Sequence, residues 1–88
     1  MSILSDKQFY YIALNTPTHT VQLDIYNSYS EAEKYMDLMV RDKDGTQASF
    51  IGLQSIPIEE FASLSIIKVR ERYGHQIEHN CVKTKAFI

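Results

Sequence analysis

The chain has almost none of the residues that cross-link a protein or break its local structure. Its 88 residues include one cysteine, two prolines, three glycines and no tryptophan. With Cys81 alone, no intrachain disulfide can form, and the expected setting is a reducing compartment. Three glycines leave little material for a phosphate-cradling loop, and no G-x-G-x-x-G, G-x-x-x-x-G-K or H-E-x-x-H pattern occurs. Nucleotide-binding and zincin chemistry therefore have no support. No apolar run approaches the ~18 residues of a membrane span. The start, MSILSDKQ, lacks the basic-then-apolar order of a signal peptide. The expectation is a single soluble domain over residues 1–88 in the cytoplasm, with 1–6 and 84–88 lying outside its ordered body.

What is present is an ordinary folding composition: 44% hydrophobic residues, with six tyrosines and four phenylalanines. A domain this small buries only roughly 60–65% of its unfolded surface. Small size and aromatic richness favour self-association as a homodimer, because a shared interface adds burial. Tyr10, Tyr26, Tyr29 and Tyr73 exceed what so small a core holds, and tyrosine suits protein interfaces.

The formal charge of −2 is unevenly placed. Residues 1–63 hold four basic against nine acidic residues, net −5, while residues 64–88 hold five against two, net +3. The acidic part centres on Ser28–Gly45, SYSEAEKYMDLMVRDKDG. Ser28-x-x-Glu31 and Ser30-x-x-Glu33 both fit a capping box. Ala32, Tyr35, Met36, Met39 and Val40 then recur at helical spacing, with Leu38 at one edge of the stripe. Asp44-Gly45 is the expected stop.

Before this helix, KQFYYIALN (7–15) has apolar residues on both alternating faces, the pattern of a central strand. Pro17 breaks it, and Thr20–Tyr26 follows as an antiparallel strand with Val21, Leu23 and Ile25 on one face. Ala48–Ile56 reads as a third strand, its Gly52 marking a bulge or close approach. Pro57 to Tyr73 carries helical spacing, acids Glu59 and Glu60 at its start, and Arg70 and Arg72 before Gly74. The rival reading makes SIIKVRERY (65–73) a strand, on the strength of β-branched Ile66, Ile67 and Val69. The helix is the preferred reading. The expected fold is α+β: a three-stranded sheet in the order 2-1-3 packed against two helices (ββαβα), with a short fourth strand admitted at Val82–Phe87.

Three constellations bear on chemistry. His75, His79 and Cys81 form H-x3-H-x-C, which suits zinc in ligand type, but the remaining candidate, His19, is distant in a loop. Neither a metal nor another cofactor is expected. Cys81 lacks the orienting partner of a nucleophile, so no catalytic residues are assigned and enzyme is the least supported class. Lys68, Arg70, Arg72 and Tyr73 offer basic and stacking groups for nucleic acid. Against them stands an acidic face of Glu31, Glu33, Asp37, Asp42 and Asp44, with Tyr29 beside it, suited to a basic groove on a partner protein.

The pattern FYYIALN…VQLDIYNSYSEAEKYMDLM…SFIGLQSI, over about residues 9–56, resembles short accessory proteins encoded by bacteriophages. That resemblance implies a stoichiometric binder or inhibitor of a host factor or defence enzyme, working in the host cytoplasm without catalysis. It transfers no site residue.

Overall fold

Strand β1 (Asp6–Asn15) is the middle of the protein in both pattern and position. The computed structural model describes residues 6–49 and 56–87, with side chains described outside 47–49. Ile12, Ala13 and Leu14 are all buried, on alternating faces, which only a strand flanked on both sides and covered on both faces permits. β2 (Thr20–Tyr26) pairs antiparallel to one side of β1, and β3 (Ser63–Arg72) pairs antiparallel to the other. β4 (His75–Ala86) pairs with β3, completing a four-stranded antiparallel sheet in the order β2-β1-β3-β4.

The order 2-1-3 is thus present, extended by a fourth strand, but its third member is not the expected segment. Residues 63–72 form β3, so the helix expected through Tyr73 is corrected to its rival reading. Leu64 and Ile66 point to one face while Ile67 and Val69 point to the other, and all four are buried. An apolar run buried on two faces mimics helical spacing over a short window. The ladder partners on both flanks decide in favour of the strand. Of the expected helix only a 3-10 turn remains, at Ile58–Glu60. The strand expected over Ala48–Ile56 lies mostly outside the described residues, Gly52 included. Ala48 and Ser49 end a helix, and Ile56 is a buried residue without regular structure. The admitted fourth strand is far longer than Val82–Phe87. Thr84, Lys85 and Ala86 are inside it, and Asp6 opens β1.

Tyr73-Gly74 forms the two-residue link between β3 and β4, with φ of 53° and 79°. Two positive φ values match the right-handed twist of the flanking strands. Glycine supplies one cheaply, and Tyr73 takes the other in a position where Asn is usual.

Helix α1 (Tyr29–Arg41) opens on the serine half of the expected capping box: Ser28 Oγ accepts from the Glu31 amide at 3.2 Å. Ser30 lies inside the first turn instead. Ala32 and Met36 are fully buried against Ile12, Leu14, Leu64 and Ile66, with Met39 and Val40 partly buried beside them. Tyr35 and Leu38 sit at the exposed rim of this contact. The helix ends at Asp42, three residues before the expected stop at Gly45. The Asp42 N–H donates to the Leu38 carbonyl, while its own carbonyl and carboxylate accept from Thr46 and Gly45, each at 2.9 Å. One residue therefore closes α1 and caps α2 (Lys43–Ser49). Gly45 permits this, because a Cβ there would collide with the Asp42 carboxylate. The buried Thr46 hydroxyl lies 2.9 Å from the Met39 and Asp42 carbonyls, tying α2 to the end of α1.

Among the described elements, α1 is the helix that packs on the sheet, while α2 touches α1 and the 3-10 turn. The opposite sheet face carries its own small cluster of Ala13, Ile67 and Val69, flanked by Phe9 and Tyr11. No described helix is long and apolar enough to cross a membrane.

Candidate protein-binding groove

The two charged sets expected from the sequence meet different fates. Lys68, Arg70 and Arg72 alternate along β3 on the α1 side of the sheet, not at a helix end. Each faces an acid. Arg70 and Arg72 both reach Asp6 at 2.8 Å, Arg70 reaches Glu78 at 3.2 Å, and Lys68 lies 3.6 Å from Glu78. Tyr73, expected to stack beside them, stands at the hairpin tip, 64% exposed. The cations are thus neutralised by their neighbours. Hydrogen bonds from Arg72 and then Arg70 hold the Asp6 carboxyl down at about 2, from an ordinary 3.8. A carboxylate with a lowered folded-state pKa contributes stability that is present above its ordinary value and lost as pH falls through the folded one. Asp6→Asn should therefore flatten the fall in melting temperature between about pH 4 and pH 2. An unchanged acid limb in a thermal melt series would show that these contacts do not hold β1 to β3.

The acidic face divides. Glu33 pairs with Lys83 at 2.7 Å and Asp37 with Lys85 at 2.8 Å, so both are turned toward β4. Tyr29 O–H donates to Glu33 at 3.2 Å, and its ring meets Tyr10 edge-on at 6.0 Å. Lys83 and then Tyr29 lower the Glu33 pKa through these hydrogen bonds, and Lys85 lowers that of Asp37. The charge asymmetry along the chain is thus partly internal pairing between α1 and β4. Asp44 is exposed in the first turn of α2.

Glu31 and Asp42 remain, and the fold adds Asp24 to them. The three line a groove of about 590 Å³ between the β2 edge, α1 and the start of α2. Ile25, Tyr26, Tyr35, Leu38, Met39, Gly45 and Thr46 complete its walls. Among the described residues, none of the three carboxylates has a cation within ion-pair distance, unlike Asp6, Glu33, Asp37 and Glu78. Tyr26 and Tyr35 stack with ring centres 5.2 Å apart and planes 13° from parallel. Lys34 sits 5.5 Å from the Tyr35 ring centre. Burial first, then the Asp24 charge and hydrogen bond, push the Tyr26 hydroxyl up to about 12, so it stays a neutral donor. The groove therefore combines uncompensated negative charge, flat aromatic surface and the exposed side chains of Leu38 and Ile25.

Alternation along β2 does not foretell this arrangement. Between the pairs Tyr11–Ile25 and Ala13–Gln22 the register shifts, so Leu23 and Asp24 together oppose Ile12. The bulge puts Ile25 out, 56% exposed, and Tyr26 in, against the core, correcting the expectation that Ile25 shares the face of Val21 and Leu23. A bulge leaves no mark in TVQLDIY, which has no glycine. Leu38 was readable as one edge of the helix stripe, whereas Tyr35, expected within the core-facing stripe, stands at its exposed rim.

His79 and Cys81 stand on alternate rungs of β4 opposite Val69 and Ile67, with Asn80 between them, while His75 is at the hairpin turn. His79 Nε2 is 2.9 Å from the Tyr11 hydroxyl. Among the described residues, no group of three or more His, Cys, Asp or Glu converges in a way that would hold a metal ion. Comparison of the chain with protein-family models, curated proteins and solved structures returns no match.

Proposed function

We propose that this chain is a small protein-interaction module that binds its partner stoichiometrically, without chemistry of its own, by holding a cationic segment in the groove. One observation carries the reading. Lys68, Arg70, Arg72, Lys83 and Lys85 pair with Asp6, Glu33, Asp37 and Glu78, while among the described residues Asp24, Glu31 and Asp42 have no cation within ion-pair distance beside the Tyr26–Tyr35 stack. Arginine and lysine gain both from carboxylates and from aromatic faces, so this lining discriminates for basic segments. The fitting class of partner is a protein with a basic surface, such as a nucleic-acid-processing host or defence enzyme. Occupying that surface would inhibit it, as the likeness to phage accessory proteins implies.

Affinity capture from host lysate, with and without nuclease, tests this. The expected result is a discrete protein partner that survives nuclease and is released by salt. Capture that disappears with nuclease, together with retention of labelled DNA or RNA by the pure chain, would assign binding to Lys68, Arg70 and Arg72 instead.

A further inference from the structure

We infer that the groove takes its occupant as an added β-strand along the edge of β2 that no described strand pairs: an extended partner segment with arginine or lysine at alternate positions. The inference rests on reading the groove as a protein site and adds how the site is filled. Among the described residues, β2 has a strand neighbour on one side only. Successive side chains of a strand point to opposite faces, yet Asp24, Ile25 and Tyr26, three in succession, all line the groove. A groove touched by consecutive strand residues runs along the strand's rim, where backbone N–H and C=O groups face outward. Glu31, Tyr35, Leu38 and Asp42 of α1 and its end form the opposite wall. A strand laid about 4.8 Å from β2 occupies the space between. Its side chains on the α1 side then reach the carboxylates and the tyrosine stack.

The two edges of the sheet are built differently. β4 carries two register shifts against β3, leaving Val82 and Ile77 without partners in the ladder. Its Lys83 and Lys85 turn inward to α1. Bulges and inward lysines are the devices that keep an edge from pairing. The sequence of β2, TVQLDIY, has no lysine, arginine, proline or glycine. Its one bulge, at Leu23–Asp24, limits regular pairing to the segments on either side of it. A second copy is a poor occupant, because its β2 strand, TVQLDIY, carries no arginine or lysine to meet the carboxylates.

The test titrates the full chain with a synthetic peptide of the same length as β2, alternating arginine and valine. Two further versions carry backbone N-methyl groups, one on the odd residues and one on the even. An added strand turns alternate N–H groups toward β2, so one version should lose about tenfold or more in affinity while the other keeps it. Amide exchange across Thr20–Tyr26 should slow on binding of the unmodified peptide. Equal affinity for both methylated versions, with no slowing in β2, would overturn strand addition while leaving the groove a cationic site. Failure of the unmodified peptide to bind at all would overturn both.

Discussion

Met36→Asp should leave the chain unfolded at room temperature. Met36 is fully buried between Ile12, Leu14, Leu64 and Ile66, in a cluster with no cation to meet a carboxylate. Burying an unpaired charge there costs about 4 kcal/mol or more, close to the ~5 kcal/mol at which small domains hold together. The companion Met36→Leu keeps volume and apolarity, so its cost should stay under about 1.5 kcal/mol. Far-UV circular dichroism and urea denaturation of the two variants measure the difference. A normal midpoint for Met36→Asp would mean that α1 does not lie on the sheet, and the groove beside it would lose its wall.

Reversing the groove's charge should be the largest functional change. Asp24 and Glu31 are exposed and lack cationic partners among the described residues, so Asp24→Lys with Glu31→Lys should melt near the unmodified chain. Affinity for a basic partner segment should fall about 100-fold or more, since two attractions become two repulsions in a partly enclosed site. Asp42 is left untouched because it caps α2. The matching control reverses the other set: Arg70→Glu with Arg72→Glu places two negative charges against Asp6. That variant should lose thermal stability at neutral pH, with the deficit shrinking as acid protonates the facing carboxylates, yet keep its affinity for the segment. Isothermal titration of both variants with the same peptide separates the readings. If the control abolishes partner binding and the groove variant does not, the basic strand carries the function.

The error over residues 57–73 has a physical source. Ile66, Ile67 and Val69 favour a strand by χ1 stiffness, but Pro57, Glu59 and Glu60 imitate a helix start and Gly74 imitates its stop. Both local signals are real. The start built a single 3-10 turn at Ile58–Glu60, and the stop was one residue of the Tyr73-Gly74 hairpin. A two-residue hairpin with tyrosine at its first position departs from the Asn-Gly pattern that would have announced it.

Local chemistry alone determined several features. The two apolar faces of residues 7–15 made β1 central, Ser28 set the start of α1, and Ala32 and Met36 marked the helix face that meets the core. Each depends on groups a few residues apart, so each is legible without knowing the fold. The groove depends on tertiary structure. Which carboxylates stay uncompensated was decided by where Lys83, Lys85, Arg70 and Arg72 arrived from segments roughly 50 to 65 residues away. The bulge that turns Ile25 out and Tyr26 in arises from the register between β1 and β2. Charge compensation and strand register are both set by pairing across the sheet, and the amino-acid order along a strand does not encode the identity of its neighbour.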